Sequence, residues 1–130
     1  MAVGIASSQL NAWLDALCRS VAYSDPAAFC AKLHTGDPGS AGTSNAATET
    51  TRQTLTCSAA SGASITTSAD AVWTSYPAAE TISHVSFWSA TSAGTFLGSC
   101  ALASSKAMAI GETLTLAAGS LTLSVAPVAA

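Results

Sequence analysis

The chain has 130 residues, a mass of 12.8 kDa and a formal net charge of -3, with 8% of residues charged and 49% apolar. An average soluble domain carries about 25% charged residues; here Ala, Ser and Thr instead supply half of the chain. This composition excludes intrinsic disorder, which needs low hydrophobicity and high net charge. It also argues against nucleic-acid binding, because Arg19, Lys32, Arg52 and Lys106 are scattered and build no basic patch. No stretch approaches the roughly 18 apolar residues of a membrane span. The N-terminus lacks a basic region, and Ser7, Ser8, Gln9, Asn11 and Asp15 interrupt any signal-like apolar run. The expectation is a single domain over residues 1–130, made in a cytosol, with neither nucleic acid nor membrane as partner.

Residues 5–22 carry the one convincing helical pattern. Leu10, Trp13, Leu14, Leu17, Cys18 and Val21 recur at the spacing of one apolar face. Ser7 or Ser8 is the expected N-cap, and Pro26 in Ser24-Asp25-Pro26 the expected stop. From there the period is two. Phe29–Thr35 reads as a strand with Phe29, Ala31 and Leu33 on one face. It runs into Gly36-Asp37-Pro38-Gly39, a type II turn signal. Residues 40–51 form a polar loop long enough to expect a contact role.

Leu55, Cys57 and Ala59 alternate with polar residues, and Gly62 separates them from Ile65–Thr67. Val72-Trp73 precedes Tyr76-Pro77. Residues 81–90 place Val85 and Phe87 on one face, Ile82 and Trp88 on the other, as a central or doubly covered strand would. Gly94 turns the chain into Phe96–Leu102. Met108–Ile110, Leu114 with Leu116, and Leu121 through Val125 follow, separated by Gly111-Glu112 and Gly119. Short alternating strands at such spacing predict a mainly β fold, an antiparallel β-sandwich or barrel over 28–125 with one N-terminal amphipathic helix and an apolar tail at 126–130.

Chemistry is sparse. Cys18, Cys30, Cys57 and Cys100 form no CxxC pair and read as buried small hydrophobes, with a disulfide as the competing possibility. His34, Thr35 and Asp37 allow a Ser/Thr–His–Asp arrangement to be drawn, but no nucleophile elbow accompanies it, and His34 is better read as bonding a turn backbone. His84 reads as half-exposed or as a satisfied sheet histidine. Cys30 and His34 in an extended strand lie about 13 Å apart, too far for one ion. Asp37 is better read as an Asx turn than as part of a calcium site with Glu49 and Asp70. No catalytic, cofactor-binding or metal residue is assigned, and no cofactor is expected. Trp13, Trp73, Tyr76, Phe87 and Trp88 could line a sugar platform, but the carboxylates and amides that such sites need are sparse, and core or interface filling fits better. Arg52 is expected either to pair with Asp37 or Asp70 or to end a solvated loop.

Leu33-His34-Thr35-Gly36-Asp37-Pro38-Gly39 resembles the turn of a family of small virion proteins of tailed bacteriophages, many infecting actinobacteria, described variously as tail fibre, minor tail or minor capsid proteins. Arg52 after a Gly/Thr/Asn loop, Val72-Trp73 through Tyr76-Pro77, Ile82 to Trp88, Gly94 to Gly98, Ser105-Lys106, Ile110 to Leu114 and Ala118 to Leu123 resemble later segments of the same family in order. The likeness covers about residues 5–125; it departs after Asn45, where Ala-Ala-Thr-Glu-Thr-Thr replaces the usual Gly-Gly-Tyr.

The resemblance implies a non-enzymatic virion structural protein. Its first implied role is capsid decoration, a cement bound to the major capsid protein on the capsid exterior as a homo-oligomer, with a trimer favoured. The alternative is a minor tail or tail fibre protein contacting tail components or the host surface. The candidate interface residues are Trp13, Leu17, Asp37, Pro38, Arg52 and Trp88, and neighbouring subunits are expected to hold the tail 126–130. The apolar helix face is expected to be covered by the sheet or by a partner; were Trp13 fully buried there, Trp13→Ala would lower unfolding stability by about 3–5 kcal/mol.

Overall fold

The computed structural model describes residues 3–125; the apolar tail 126–130 lies outside them. In chain order the elements are β1 (Gly4–Ile5), α1 (Ser7–Arg19), β2 (Cys30–His34), β3 (Gln53–Thr54), β4 (Ser64–Thr66), β5 (Ala71–Trp73), β6 (Glu80–Trp88), β7 (Phe96–Met108), β8 (Leu114–Leu116) and β9 (Thr122–Ser124). Every pairing is antiparallel. β1, β7, β6, β2 and β3 form one open sheet in that order, while β4–β9 and β5–β8 form two separate ribbons. The expected mainly β, antiparallel fold with one N-terminal helix is therefore present, and no closed barrel forms among the described residues.

β6 is central, as its two-sided apolar pattern requires. Its Thr, Ile, Val, Phe and Trp suit a pleated surface, and it pairs with β2 on one side and β7 on the other. Cross-strand alignment of Ala31 with Phe87, and of Leu33 with Val85 and Cys100, sets one face of the sheet. Trp73, Tyr76, Leu114 and Met108, from the ribbons and strand ends, complete the core on that face. Ile82 joins the same core as Val85, with a register irregularity lying between Ile82 and His84. β7 continues from Phe96 to Met108 through this irregularity, where two separate strands were expected. The alternating run around Leu55 forms only an isolated bridge, Cys57 with Thr67.

The helix differs from its expected form in three ways. It spans Ser7–Arg19 rather than 5–22, and Ala6 caps it with no side-chain hydrogen bond. Its carbonyl accepts from Gln9 and Leu10, so neither Ser7 nor Ser8 is the cap. It ends at Ser20, in left-handed conformation with φ 56, well before Pro26. None of its residues is buried. Trp13 is 37% exposed and Leu17 81%, so the sheet does not cover the apolar face and the full-burial cost for Trp13 does not apply within one chain. The four cysteines are free; Cys30 is buried, Cys57 and Cys100 are half-buried, and Cys18 is exposed, so deep burial holds for one of the four.

Two glycines set close approaches. A Cβ on Gly98 would come within 2.6 Å of the Gly4 carbonyl, so its absence lets β1 pair along β7. Gly42, at φ +71, lies flat against the Phe96 ring. Gly119 has a similar φ of +77 but open space around it. Gly119→Ala is thus expected to cost about 1 kcal/mol of backbone strain, and Gly42→Ala clearly more, about 2–4 kcal/mol, because ring overlap adds to the strain. Denaturant unfolding checks the ordering, and equal losses would contradict the packing of loop on ring.

Candidate functional site

Chain rather than solvent closes the second face of the sheet. After His34 the backbone folds into a loop that returns beside β2: the Thr35 N–H donates to the Asn45 carbonyl, the Ala47 N–H to the Leu33 carbonyl, and His34 bridges Ala46. Gly39 takes φ +72, and the Asp37 carboxylate accepts from its N–H at 2.9 Å, so the expected Asx turn is present. Pro38 is fully buried within this loop. The Asn45 amide donates to the Asp37 carbonyl and stiffens the loop.

Beneath the loop lies a polar relay. His34 and Ser86 are both 0% exposed. His34 Nδ1 lies 2.8 Å from the Ser44 carbonyl oxygen, which can only accept, so Nδ1 carries the hydrogen. Burial pulls the His34 pKa below 6.5, opposed in part by the bond to Ser44 and reinforced by Lys32 and His84. The ring is therefore neutral at pH 7 and Nε2 accepts, at 2.7 Å, from the Ser86 hydroxyl. Ser86 Oγ in turn accepts from the Trp88 indole N–H at 2.8 Å. Every polar atom of the relay is satisfied, as a buried group must be. Ser86 and His34 have the spacing of a nucleophile and base, but both are sealed from solvent in this arrangement.

Arg52 completes this side. Its guanidinium lies 4.0 Å from the Trp88 ring centroid, a cation–π contact, and donates to the Ala90 and Ala93 carbonyls of the β6–β7 turn. The expected pairing with Asp37 or Asp70 is not formed: Asp70 accepts from the Ala118 N–H instead. Thr48 donates through both its N–H and its hydroxyl to Glu80, which also accepts from the Tyr76 hydroxyl. Burial raises the Glu80 pKa, but these hydrogen bonds outweigh it and hold the carboxyl below 4.5. Tyr76 is pushed far above its usual range by burial and by Glu80. With the Trp73 indole donating to the Thr51 carbonyl, loop 40–51 is tied down at several points rather than free.

The open surface lies elsewhere, on the N-terminal arm. β1 attaches to β7 by two residue pairs, and α1 then runs beside the sheet. The Tyr23 hydroxyl donates to Gln9 across the arm, and its ring lies 6.4 Å from that of Trp13. Between arm, sheet and the β4–β9 ribbon is a groove of about 640 Å³, lined by Trp13, Tyr23, Phe29, Phe87, Leu121 and Leu123 among others, with no charged side chain on its walls. Its size lies within the ~300–1,000 Å³ of ligand pockets.

The six sequence-proposed interface residues therefore separate. Trp13 and Leu17 stand open on the arm. Asp37 shapes a turn, Pro38 and Trp88 are buried, and Arg52 packs inward on Trp88. Trp73, Tyr76 and Trp88 fill the interior rather than forming a platform. Ser86 was not singled out from the sequence, although a Ser between apolar neighbours in a central strand is the available signal. No group of three His, Cys, Asp or Glu side chains that could hold a metal occurs among the described residues, and no helix there is long and apolar enough to cross a membrane.

Ser86→Ala leaves both His34 Nε2 and Trp88 Nε1 unpaired, and is expected to lower unfolding stability by about 2–4 kcal/mol. A depressed histidine pKa also fixes a pH dependence. Below 6.5 the unfolded chain binds a proton that the folded chain resists, so stability is full above that pH and falls as pH drops toward the lower folded value. The melting temperature is expected to fall between pH 7.5 and pH 5, before the Glu80 contribution is lost below pH 4.5. His34→Asn should flatten the upper window; an unchanged slope would contradict the buried neutral ring.

A family model described as podophage GP4 fiber I protein gp80 matches residues 4–124, from the first residue of β1 to the last of β9. No curated protein matches the chain. The matched span holds the sheet, both ribbons, the relay and the arm, so the chain belongs to the podophage fiber I gp80 family and is a bacteriophage virion structural protein.

Proposed function

We propose that the protein is a building element of a phage tail fibre, where it contacts tail proteins or the host surface. The observation that carries this reading is the match of almost the whole chain to a fibre protein family. It supports the fibre role ahead of capsid decoration, whose partner would be the major capsid protein. The form of the molecule is compatible with a structural part: the face over His34 and Ser86 is sealed by loop and arginine, and the open surface is an apolar arm of the kind that meets other protein.

Electron microscopy of virions labelled with gold-conjugated antibodies to the chain distinguishes the two roles. Label is expected at the tail, and virions lacking the chain are expected to keep their shell melting temperature while losing adsorption. Label over the capsid shell, or shells that open at lower temperature without the protein, would overturn the fibre role in favour of cementing.

A further inference from the structure

His34 is 0% exposed, yet a single layer of chain separates it from solvent. Ser44, whose carbonyl it bonds, and the adjoining Asn45 and Ala46 are all exposed. On the far side of the sheet lies the core, built on Leu33, Val85, Trp73 and Tyr76. The short route for water to the ring is through the loop; the other runs through the core. Residues 36–46 also hold themselves together as a lobe. The Ser44 N–H donates to the Pro38 carbonyl, the Gly42 N–H to the Gly39 carbonyl, and the Asn45 amide to the Asp37 carbonyl. The lobe carries no apolar side chain larger than Pro38. Its ties to the sheet include the Thr35 and Ala47 backbone bonds, the His34–Ser44 bond and the seat of Gly42 on Phe96. Segments with few apolar contacts and exposed hydrogen bonds open locally, well below the cost of global unfolding.

A proton on His34 breaks the logic of the relay. Protonated Nε2 can only donate, so it meets the Ser86 oxygen together with the Trp88 N–H, and the Ser86 hydroxyl hydrogen loses its acceptor. Lys32, two residues away on the same face of β2, and His84, the register partner on β6, both oppose a positive ring. β7 brings only Ser99 and Ala101 alongside this strip of β6. The nearby acids are engaged elsewhere: Asp37 by the Gly39 N–H, Glu49 by the Thr51 N–H, and Glu80 by Thr48 and Tyr76. Arg52 lies on Trp88. His84, whose buried Nε2 has no partner, is the competing place for a proton.

We infer that the lobe 36–46 is an acid-opened latch: protonation of His34 lifts it from β2 and bares the His34–Ser86–Trp88 strip while the core stays folded. In the open lobe the ring titrates near its ordinary 6.5. Each pH unit below that multiplies the open fraction by up to about tenfold, or about thirtyfold by pH 5. The inference does not rest on the fibre role, because it is read out in the isolated chain rather than on the virion.

Amide hydrogen exchange on the full chain, resolved by residue and corrected for the intrinsic effect of pH, is the test. The Thr35 and Ala47 amides are expected to exchange at least about tenfold faster than those of Val85 and Ser86 at pH 5, the mark of local opening. Their protection is expected to fall about fivefold to thirtyfold from pH 7.5 to pH 5, and His34→Gln is expected to remove that fall. If His34→Gln does not fold, the midpoint of the His34 ring signal in a wild-type NMR titration replaces it and is expected to coincide with the loss of protection. Thr35 and Ala47 exchanging no faster than the β6 amides, or protection that is independent of pH, overturns the latch. So does a fall that persists in His34→Gln or follows the His84 signal instead.

Discussion

The buried Ser86 hydroxyl joins two aromatic nitrogens in the central strand of the sheet, and much of the second face of the molecule hangs from it. It donates to His34 and accepts from Trp88. In a dry interior an unpaired polar atom is costly, so each partner is held to one orientation. His34, so oriented, donates to the Ser44 carbonyl and pins the loop over β2. Trp88, so oriented, presents its ring to Arg52, whose guanidinium then grips the turn between β6 and β7. Loop, sheet and hairpin turn are thus positioned by one small hydroxyl.

The same economy governs the charges. Glu80, Asp70, Asp37, Glu49 and Glu112 each accept from a backbone N–H in a loop or turn, and Asp15 pairs with Arg19. Charges placed this way satisfy backbone donors that tight turns leave open. Little charge remains to keep other protein away, and the arm is left apolar. A low charge fraction, the plainest feature of the composition, is therefore a matter of location as well as number.

Much of the fold was legible because it rests on local periodicity. Two-residue alternation located β2, β6, β8 and β9, and the double-sided pattern of 81–90 identified the central strand. The Asx turn at Asp37 and the backbone bond of His34 followed from turn chemistry and from the absence of any partner motif. The helix boundaries did not follow, because a left-handed Ser20 ends α1 where no glycine or proline marks it. Arg52 was the reverse case. Its isolation pointed to a specific role, but its partners, an indole face and two carbonyls about forty residues downstream, leave no trace in linear charge pattern.

By itself the sequence determined the class of the fold, the one helix with its leucine spacing, the turns and the scarcity of charge, because each depends on neighbours a few residues apart. Only the tertiary structure decided which apolar residues are core and which are surface. Trp88 and Pro38 turned inward while Trp13 and Leu17 remained outside, although all four were candidate interface residues. Burial depends on what the rest of the chain brings to each face, and α1 had no second element to cover it.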